Sequence, residues 1–346
     1  MRQRFRCKEN GHVFEFAAHD GHITAEEKNI VRDSLERASV RILARRFGRS
    51  KTTIMKIIHR VTRTVADSRD VAAALHPAWS GILAVDGKYV RTKILRAKRF
   101  DEKERARSFM CWLSGVDIGT GDLPHYAIAD EETMIDLVMY FRRLKEIGYE
   151  LRVLISDGNP DIPRAARKIY GDGIITQLCT RHFLEGLKRK SLEAGLRDDV
   201  QTQNVILAIQ RIIGAETIEE AATRLDELRA KRLLHPLHRL LVNDFRAHAA
   251  ELTTHLRNTE LRIPHTTNDA ESIFHQLGLR IDSLGQFAHW RHAESYLKAW
   301  SLWRRFTPFT DCKGPRKVRN KKAPLECAHC RIKGVDMFKI PRTNQP

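Results

Sequence analysis

The hydrophobic runs between Gly81 and Lys190 follow one order, and that order narrows the fold more than any single motif. "GILAVDGKYVRTK", "SFMCWLSGVDI" and "LPHYAIAD" are short runs rich in β-formers, and the Gly-rich "GTGD" between the second and third reads as a hairpin turn. A helix-length stretch follows from about Met134 to Ile147. "LRVLISDG" is then a buried-type strand, "PRAARKIYG" a helix, "GIITQLC" a strand and "TRHFLEGLKRK" the start of a helix. Three strands in hairpin order followed by strand–helix alternation predict an α/β domain with a mixed sheet. In one such arrangement the first and fourth strands are neighbours.

This topology gives meaning to two acids. Asp86 lies inside the first run and Asp157 ends the fourth, so the fold would make them face each other. An acid within an apolar strand is costly to bury unless it is paired or binds a cation. Two brought together repel, and a divalent metal resolves the repulsion. Taken singly, each also reads as a strand-end or turn residue, since Gly87 and Gly158 follow them. Asp117, Asp122 and Asp161 suit local turn or capping roles. A third acid stands in "TTNDAESIFHQL", where a loop tips into a helix. Asn268 can serve as N-cap there, and Glu271, three residues on, either completes a capping box or aims at a metal.

Charge points to the partner. The 346 residues hold 61 Lys and Arg against 43 Asp and Glu, a formal charge of +18 that favours a polyanion, with nucleic acid the usual one. Arg37 to Ala66 contains nine Lys/Arg and no acid. Thr24 and Glu27 form a capping-box signature at the start of a helix. Val40, Leu43, Ala44 and Phe47 then mark one helical face, Gly48 breaks it, Ser50 can cap a second helix, and Ile54, Ile57, Ile58 and Val61 repeat the spacing. Two short amphipathic helices on a tight turn predict a helix-turn-helix over about residues 21–70. Lys51, Thr52, Lys56 and Arg60 would face outward, as types suited to phosphates and base edges of double-stranded DNA. An ordinary helical hairpin with solvated lysines is the plainer alternative.

The remaining segments say less. "KGPRKVRNKK", with six basic residues, reads as a solvated tail or phosphate-tracking arm within a C-terminal stretch of residues 306–346. Six cysteines over this length look reduced. Cys327 and Cys330 form a single pair whose near neighbour is Cys312, a weak basis for zinc. No apolar run is long enough to span a bilayer, and the N-terminus lacks the apolar core of a signal peptide. A protein of the cytoplasm, associated with the nucleoid of a prokaryote, is the expectation.

The acids and their surroundings carry a more specific likeness. "AVDGKYV", "LISDGNPDI", "CTRHF" and "TTNDAES" in this order resemble a DDE transposase of a bacterial insertion sequence, in the broad group that includes Mutator-like element transposases. The resemblance covers roughly residues 80–300. It implies a ribonuclease H-like catalytic domain over residues 80–305, with a helical insertion at about 190–260 where "TIEEAATRLDELRAKRLL" reads as helix. It also implies that Asp86, Asp157 and Glu271 are the catalytic, metal-binding triad, and that Cys179 and His182 have a structural role beside it. "RQRFRCKENGHVFEF" looks like the second half of a zinc ribbon, a common leader in such enzymes. Here only Cys7 stands, Asn10 occupies the next cysteine position, and residues 1–20 read as a remnant without zinc.

The chemistry implied is two-metal phosphoryl transfer. Three carboxylates suit two Mg²⁺ or Mn²⁺ ions, hard cations that prefer oxygen. Such an enzyme binds transposon ends, cleaves DNA and joins a 3′ end to target DNA, working as a homo-oligomer on DNA. Tyr89 and Ser156 stand beside the acids but lack the setting of a nucleophilic recombinase. Two alternatives stay open at this point: a DNA-binding regulator with a non-catalytic core, and a metal-dependent nuclease of the same fold.

Overall fold

The computed structural model describes residues 4–6, 13–15, 23–36, 38–91, 109–129, 131–231, 235–284, 287 and 290–343. Two short strands, β1 (Arg4–Arg6) and β2 (Val13–Glu15), pair antiparallel at the N-terminus. Cys7 and Asn10 of the ribbon remnant lie outside the described residues.

Three helices follow: α1 (Ala25–Glu36), α2 (Val40–Arg46) and α3 (Lys51–Thr64). Their starts obey local capping chemistry. The Glu27 carboxylate accepts from Thr24 N–H at 3.1 Å while Thr24 Oγ1 accepts from Glu27 N–H at 3.2 Å. Ser39 and Ser50 cap α2 and α3 through their side chains. Gly48, with φ 60°, supplies the left-handed residue between them. Leu43, Ile54, Ile58 and Val61 are buried, as their spacing predicts. Helix α4 (Ser68–Leu75) leads to the sheet.

The sheet contains β3 (Ile82–Arg91), β4 (Phe109–Asp117), β5 (Tyr126–Ala129), β6 (Val153–Ser156) and β7 (Ile175–Leu178), in the order β5-β4-β3-β6-β7. β3, β4 and β5 pair antiparallel in sequence order, while β3–β6 and β6–β7 are parallel. It is therefore a mixed α/β sheet whose first and fourth strands are neighbours. Helices α5 (Met134–Glu146) and α6 (Asp161–Tyr170) supply the intervening crossovers. Leu83, Val85, Leu113 and Leu154 pack with Leu137, Tyr140, Phe141 and Leu144 on one face.

The opposite face carries Ala84, Val90, Trp112, Val153 and Ile155. It meets helices α12 (Asn268–Leu284) and α13 (Trp290–Phe306), with the Trp112 ring edge-on to Phe274 at 5.3 Å and to Trp300 at 5.7 Å. Burying each such large apolar side chain contributes about 1.5–3 kcal/mol relative to exposure. Helices α1–α3 share this same core rather than standing apart from it. Tyr296 Oη donates to Ser34 O at 2.9 Å and Arg280 Nε to Leu35 O at 3.0 Å.

Between β7 and α12 lie α7 (Thr180–Glu193), α8 (Val200–Ile213), α9 (Ile218–Ala230), α10 (Pro236–Leu252) and α11 (Thr254–Arg257). They bury Leu187, Ile209, Leu228, Leu241 and Phe245 in a core of their own. The helical reading of residues 190–260 thus corresponds to helices built around a separate apolar cluster.

The C-terminal stretch differs from a solvated tail. A short helix α14 (Pro324–Cys327) starts a segment in which Leu325, Ala328, Cys330, Met337, Phe338 and Ile340 join the main core. Asp336 pairs with Lys28, and Thr343 N–H donates to Asp70 at 2.7 Å. Apolar residues spaced among the cations drive this packing, and the basic count conceals them. No helix among the described residues is long and apolar enough to cross a membrane.

Candidate active site

Backbone register brings two acids together. Ala84 of β3 pairs with Ile155 of β6, so Asp86, in β3, and Asp157, one residue past the end of β6, each lie two residues beyond the last registered pair of these parallel strands. β6 stops at Ser156 while β3 runs on to Arg91, which leaves this end of the sheet open beside Asp86. Asp157 turns the chain by accepting from Asn159 N–H at 3.0 Å, and Pro160 follows with no N–H to continue the strand. Burial pushes the Asp86 carboxyl up to about 6; the negative charges of Asp157 and Glu132 add to that, while Gly87 N–H and His182 oppose it.

Glu132 is a neighbour that sequence reasoning misses, because "EET" ahead of a helix reads as ordinary capping. Its carboxylate lies over the backbone of Gly87, and a Cβ at that position would stand 1.7 Å from Oε1. Asn159 Nδ2 donates to Glu132 at 3.5 Å, so one asparagine touches both Asp157 and Glu132. The signal that could reveal it is Gly87 within a β-rich run, which marks a close approach.

Glu271 arrives from another direction. Thr180 N–H donates to His265 O at 2.9 Å, and Thr267 N–H and Oγ1 donate to Cys179 Sγ at 3.4 and 3.3 Å. These bonds fasten the first turn of α12 to the start of α7. Glu271 is consequently paired with Arg181, and its Oε1 lies 3.6 Å from His182 Nε2. Ligand atoms of Cys179, His182 and Glu271 all fall within 4.8 Å of one another. The hydrogen bond with Cys179 drives the His182 imidazole up to about 9 against its burial, with the charges of Asp86 and Glu271 adding to it. Burial raises the Cys179 thiol, but hydrogen bonds from His182 and Thr267 more than reverse this and hold it below the ordinary range. His182, 3.6 Å from Glu271, therefore also couples electrostatically to Asp86.

The cap expected at Asn268 is displaced by one residue. The helix begins at Asn268, and Thr267 is its flank, its carbonyl accepting from Glu271 N–H at 3.0 Å. Glu271 is then one position beyond the slot a capping-box carboxylate needs. Anchoring of Thr267 by Cys179 decides this boundary, and no local pattern reveals it. Asp269 pairs with Arg316 of the C-terminal segment.

The other acids are structural. Asp117 is buried and accepts from Ser80, Thr120 and Tyr149. Asp122 is buried in a two-pronged pair with Arg305, at 2.9 and 2.8 Å, and also accepts from Trp79. Asp157 borders two clefts, one of 620 Å³ lined also by His182, Arg189 and Lys190, the other of 190 Å³ lined by Arg164 and Arg167. Some distance along the chain, Lys51, Thr52 and Lys56 are exposed on α3, whereas Arg60 is half-buried and paired with Glu27. Cys330 is buried and Cys327 half-buried in the C-terminal segment.

No protein-family model matches the chain, and no curated protein matches it. Among solved structures, the Drosophila P element transposase strand transfer complex aligns over 96% of this chain and 95% of that one, with 10% identity and a TM-score of 0.35. A likeness that faint fixes neither fold nor activity.

Proposed function

We propose that the chain is a DDE-type transposase with a ribonuclease H-like catalytic domain, cleaving DNA and joining its 3′ end to a target. The observation that carries the reading is the placement of Asp86 in β3 and of Asp157 just past the end of the neighbouring parallel strand β6, with the Asp86 pKa held up to about 6 by burial and by the neighbouring charges. Such a pair is unfavourable by itself and is relieved by a cation. The donors are carboxylate oxygens, which suit Mg²⁺ or Mn²⁺ rather than zinc. Held by Asp86, Asp157 and Glu271, two such ions would activate the attacking oxygen and stabilise the leaving one.

The protein's own residues do the rest. Arg181 and His182 hold Glu271 in reserve, so Glu271 joins the centre by exchanging these partners. His182 keeps its proton at neutral pH and sets a positive charge beside the incoming phosphodiester. Cys179 positions both His182 and Thr267. In the first step water oxygen bonds to phosphorus, the bond from phosphorus to the 3′ oxygen breaks, and that oxygen leaves as a 3′-hydroxyl. In the second step this hydroxyl attacks a target phosphate in the same manner, with no covalent link to protein. Helices α2 and α3 act as a helix-turn-helix, with Lys51, Thr52 and Lys56 toward DNA.

The test searches the DNA flanking the gene for inverted repeats and incubates duplexes carrying them with purified protein and Mg²⁺. Cleaved and strand-transfer products are expected, absent in EDTA and from Asp157→Asn. Products that persist in EDTA contradict the reading, and cleavage without joining favours a nuclease.

A further inference from the structure

The C-terminal segment closes into a basic loop. Phe309 N–H donates to Lys322 O at 2.9 Å and Lys321 N–H to Phe309 O at 2.7 Å, while Asn320 Oδ1 accepts from Cys312 N–H at 2.8 Å. The loop so closed contains Lys313, Arg316, Lys317, Arg319, Lys321 and Lys322. Its base is fixed in the core by Leu325 and Ala328, so its cations are presented on a preorganised frame.

Pro315, Arg316, Val318, Arg319 and Lys322 of this loop line a 790 Å³ cleft together with Arg262, from the segment ahead of α12, while Lys317 and Lys321 stand on the same loop next to these lining residues. Among the described residues, no carboxylate lies within ion-pair distance of Arg262, Lys317, Lys321 or Lys322. The Glu326 carboxylate, which also lines the cleft, is occupied with the Ala323 N–H at 2.7 Å. The backbone is strained at the same place. Arg262, Lys321 and His329 adopt left-handed conformations with φ of 48°, 70° and 61°, three of the four such non-glycine residues described. Strain of this kind persists where surrounding structure enforces it, and it concentrates at functional sites. Arg316, which lines the cleft, pairs with Asp269, two residues before Glu271 in the first turn of α12.

We infer that the cleft lined by Arg262 and Lys322, together with the adjoining loop cations Lys317 and Lys321, is a seat for the sugar-phosphate backbone of duplex DNA, leading toward the first turn of α12. Unpaired cations on a rigid loop match regularly spaced phosphates, and this mode of binding needs no base sequence. The inference rests on the reading of DNA as partner, but not on catalysis.

Binding of the full chain to a short duplex of arbitrary sequence, followed by fluorescence anisotropy in EDTA across a salt series, tests it. Lys317→Gln/Lys321→Gln/Lys322→Gln should flatten the log–log salt slope by about 0.9 for each phosphate no longer neutralised and weaken binding on the order of tenfold or more. The same weakening should appear in a Lys51→Ala/Lys56→Ala background, which separates the cleft from α3. Lys321→Gly should raise the melting temperature by about 1–3 °C through relief of strain while binding falls. An unchanged slope and affinity in the triple variant overturn the proposal, as does duplex RNA binding as tightly as DNA. Lysine acetylation of the unmutated chain gives a check that does not depend on variants folding: the duplex should protect Lys317, Lys321 and Lys322, and absence of protection overturns it. Loss of cleavage in Asp157→Asn with this binding intact would leave the two readings separable.

Discussion

Asp86 and Asp157 each lie two residues past Ala84 and Ile155, the last pair that joins β3 to β6. The fold thus sets two carboxylates near each other, and among the described residues neither has an ion pair with a cationic side chain. Burial first, with the charges of Asp157 and Glu132 added, holds the Asp86 pKa near 6 rather than at the ordinary 3.8.

Stability should therefore depend on this acid with a definite sign. Because the folded state raises the pKa of Asp86, its ionisation opposes folding: the penalty is absent below about pH 3.8, grows as pH rises, and is complete above about pH 6. In metal-free protein at neutral pH, Asp86→Asn should be more stable than the wild type by at most roughly 3 kcal/mol. Near pH 4 the two should be alike. Urea unfolding at both values checks this, and a destabilised Asp86→Asn at neutral pH counts against the electrostatic account.

Glu271→Gln separates metal binding from helix capping. Thr267 flanks the helix, so the substitution costs no capping box and stability should change by less than about 1 kcal/mol, the usual range for a partly exposed ion pair. Cleavage should nevertheless fall by orders of magnitude. Asp269→Asn breaks only the pair with Arg316 and should retain cleavage. The reverse result would name Asp269 as the functional acid.

Asp122→Ala should destabilise severely, by about 3–5 kcal/mol, because it leaves Arg305 buried without its carboxylate. Removing both charges with Asp122→Leu/Arg305→Met should recover much of the loss. Thermal unfolding of the three proteins gives the answer, and a mild Asp122→Ala would mean that water reaches the site.

On α3, Lys51→Ala/Lys56→Ala should weaken DNA binding and flatten its salt dependence, since both side chains are exposed. Arg60→Ala should act differently. Its pairing with Glu27 makes it chiefly a link between α1 and α3, so a loss of stability is expected to exceed the loss of binding. Melting curves alongside salt titrations distinguish the two effects.

The strands and helices are readable because their periods are strong and bounded by Gly, Pro and Ser. The hairpin turn "GTGD" and the later alternation predict a mixed sheet, and the neighbouring of its first and fourth strands, which brings Asp86 to Asp157, rests on the family resemblance. What the sequence conceals depends on distant neighbours. Cys179, nearly ninety residues upstream, anchors Thr267 and so shifts the start of α12 by one residue. Glu132 resembles a capping acid because the absence of a side chain on Gly87 signals its approach only indirectly. Arg60 reads as free because Glu27 belongs to another helix. In the C-terminal stretch, six cations outweigh the apolar residues at 325–340 that bury themselves in the core.

Calorimetric titration of metal-free protein with Mn²⁺ at about pH 7.5, where Asp86 is ionised, addresses the central claim without requiring the right DNA. The wild type should bind, and Asp86→Asn and Asp157→Asn should each lose binding while keeping their fold. Wild-type protein that takes up no Mn²⁺, or variants that bind it equally well, would contradict the assignment of this carboxylate pair to a metal centre.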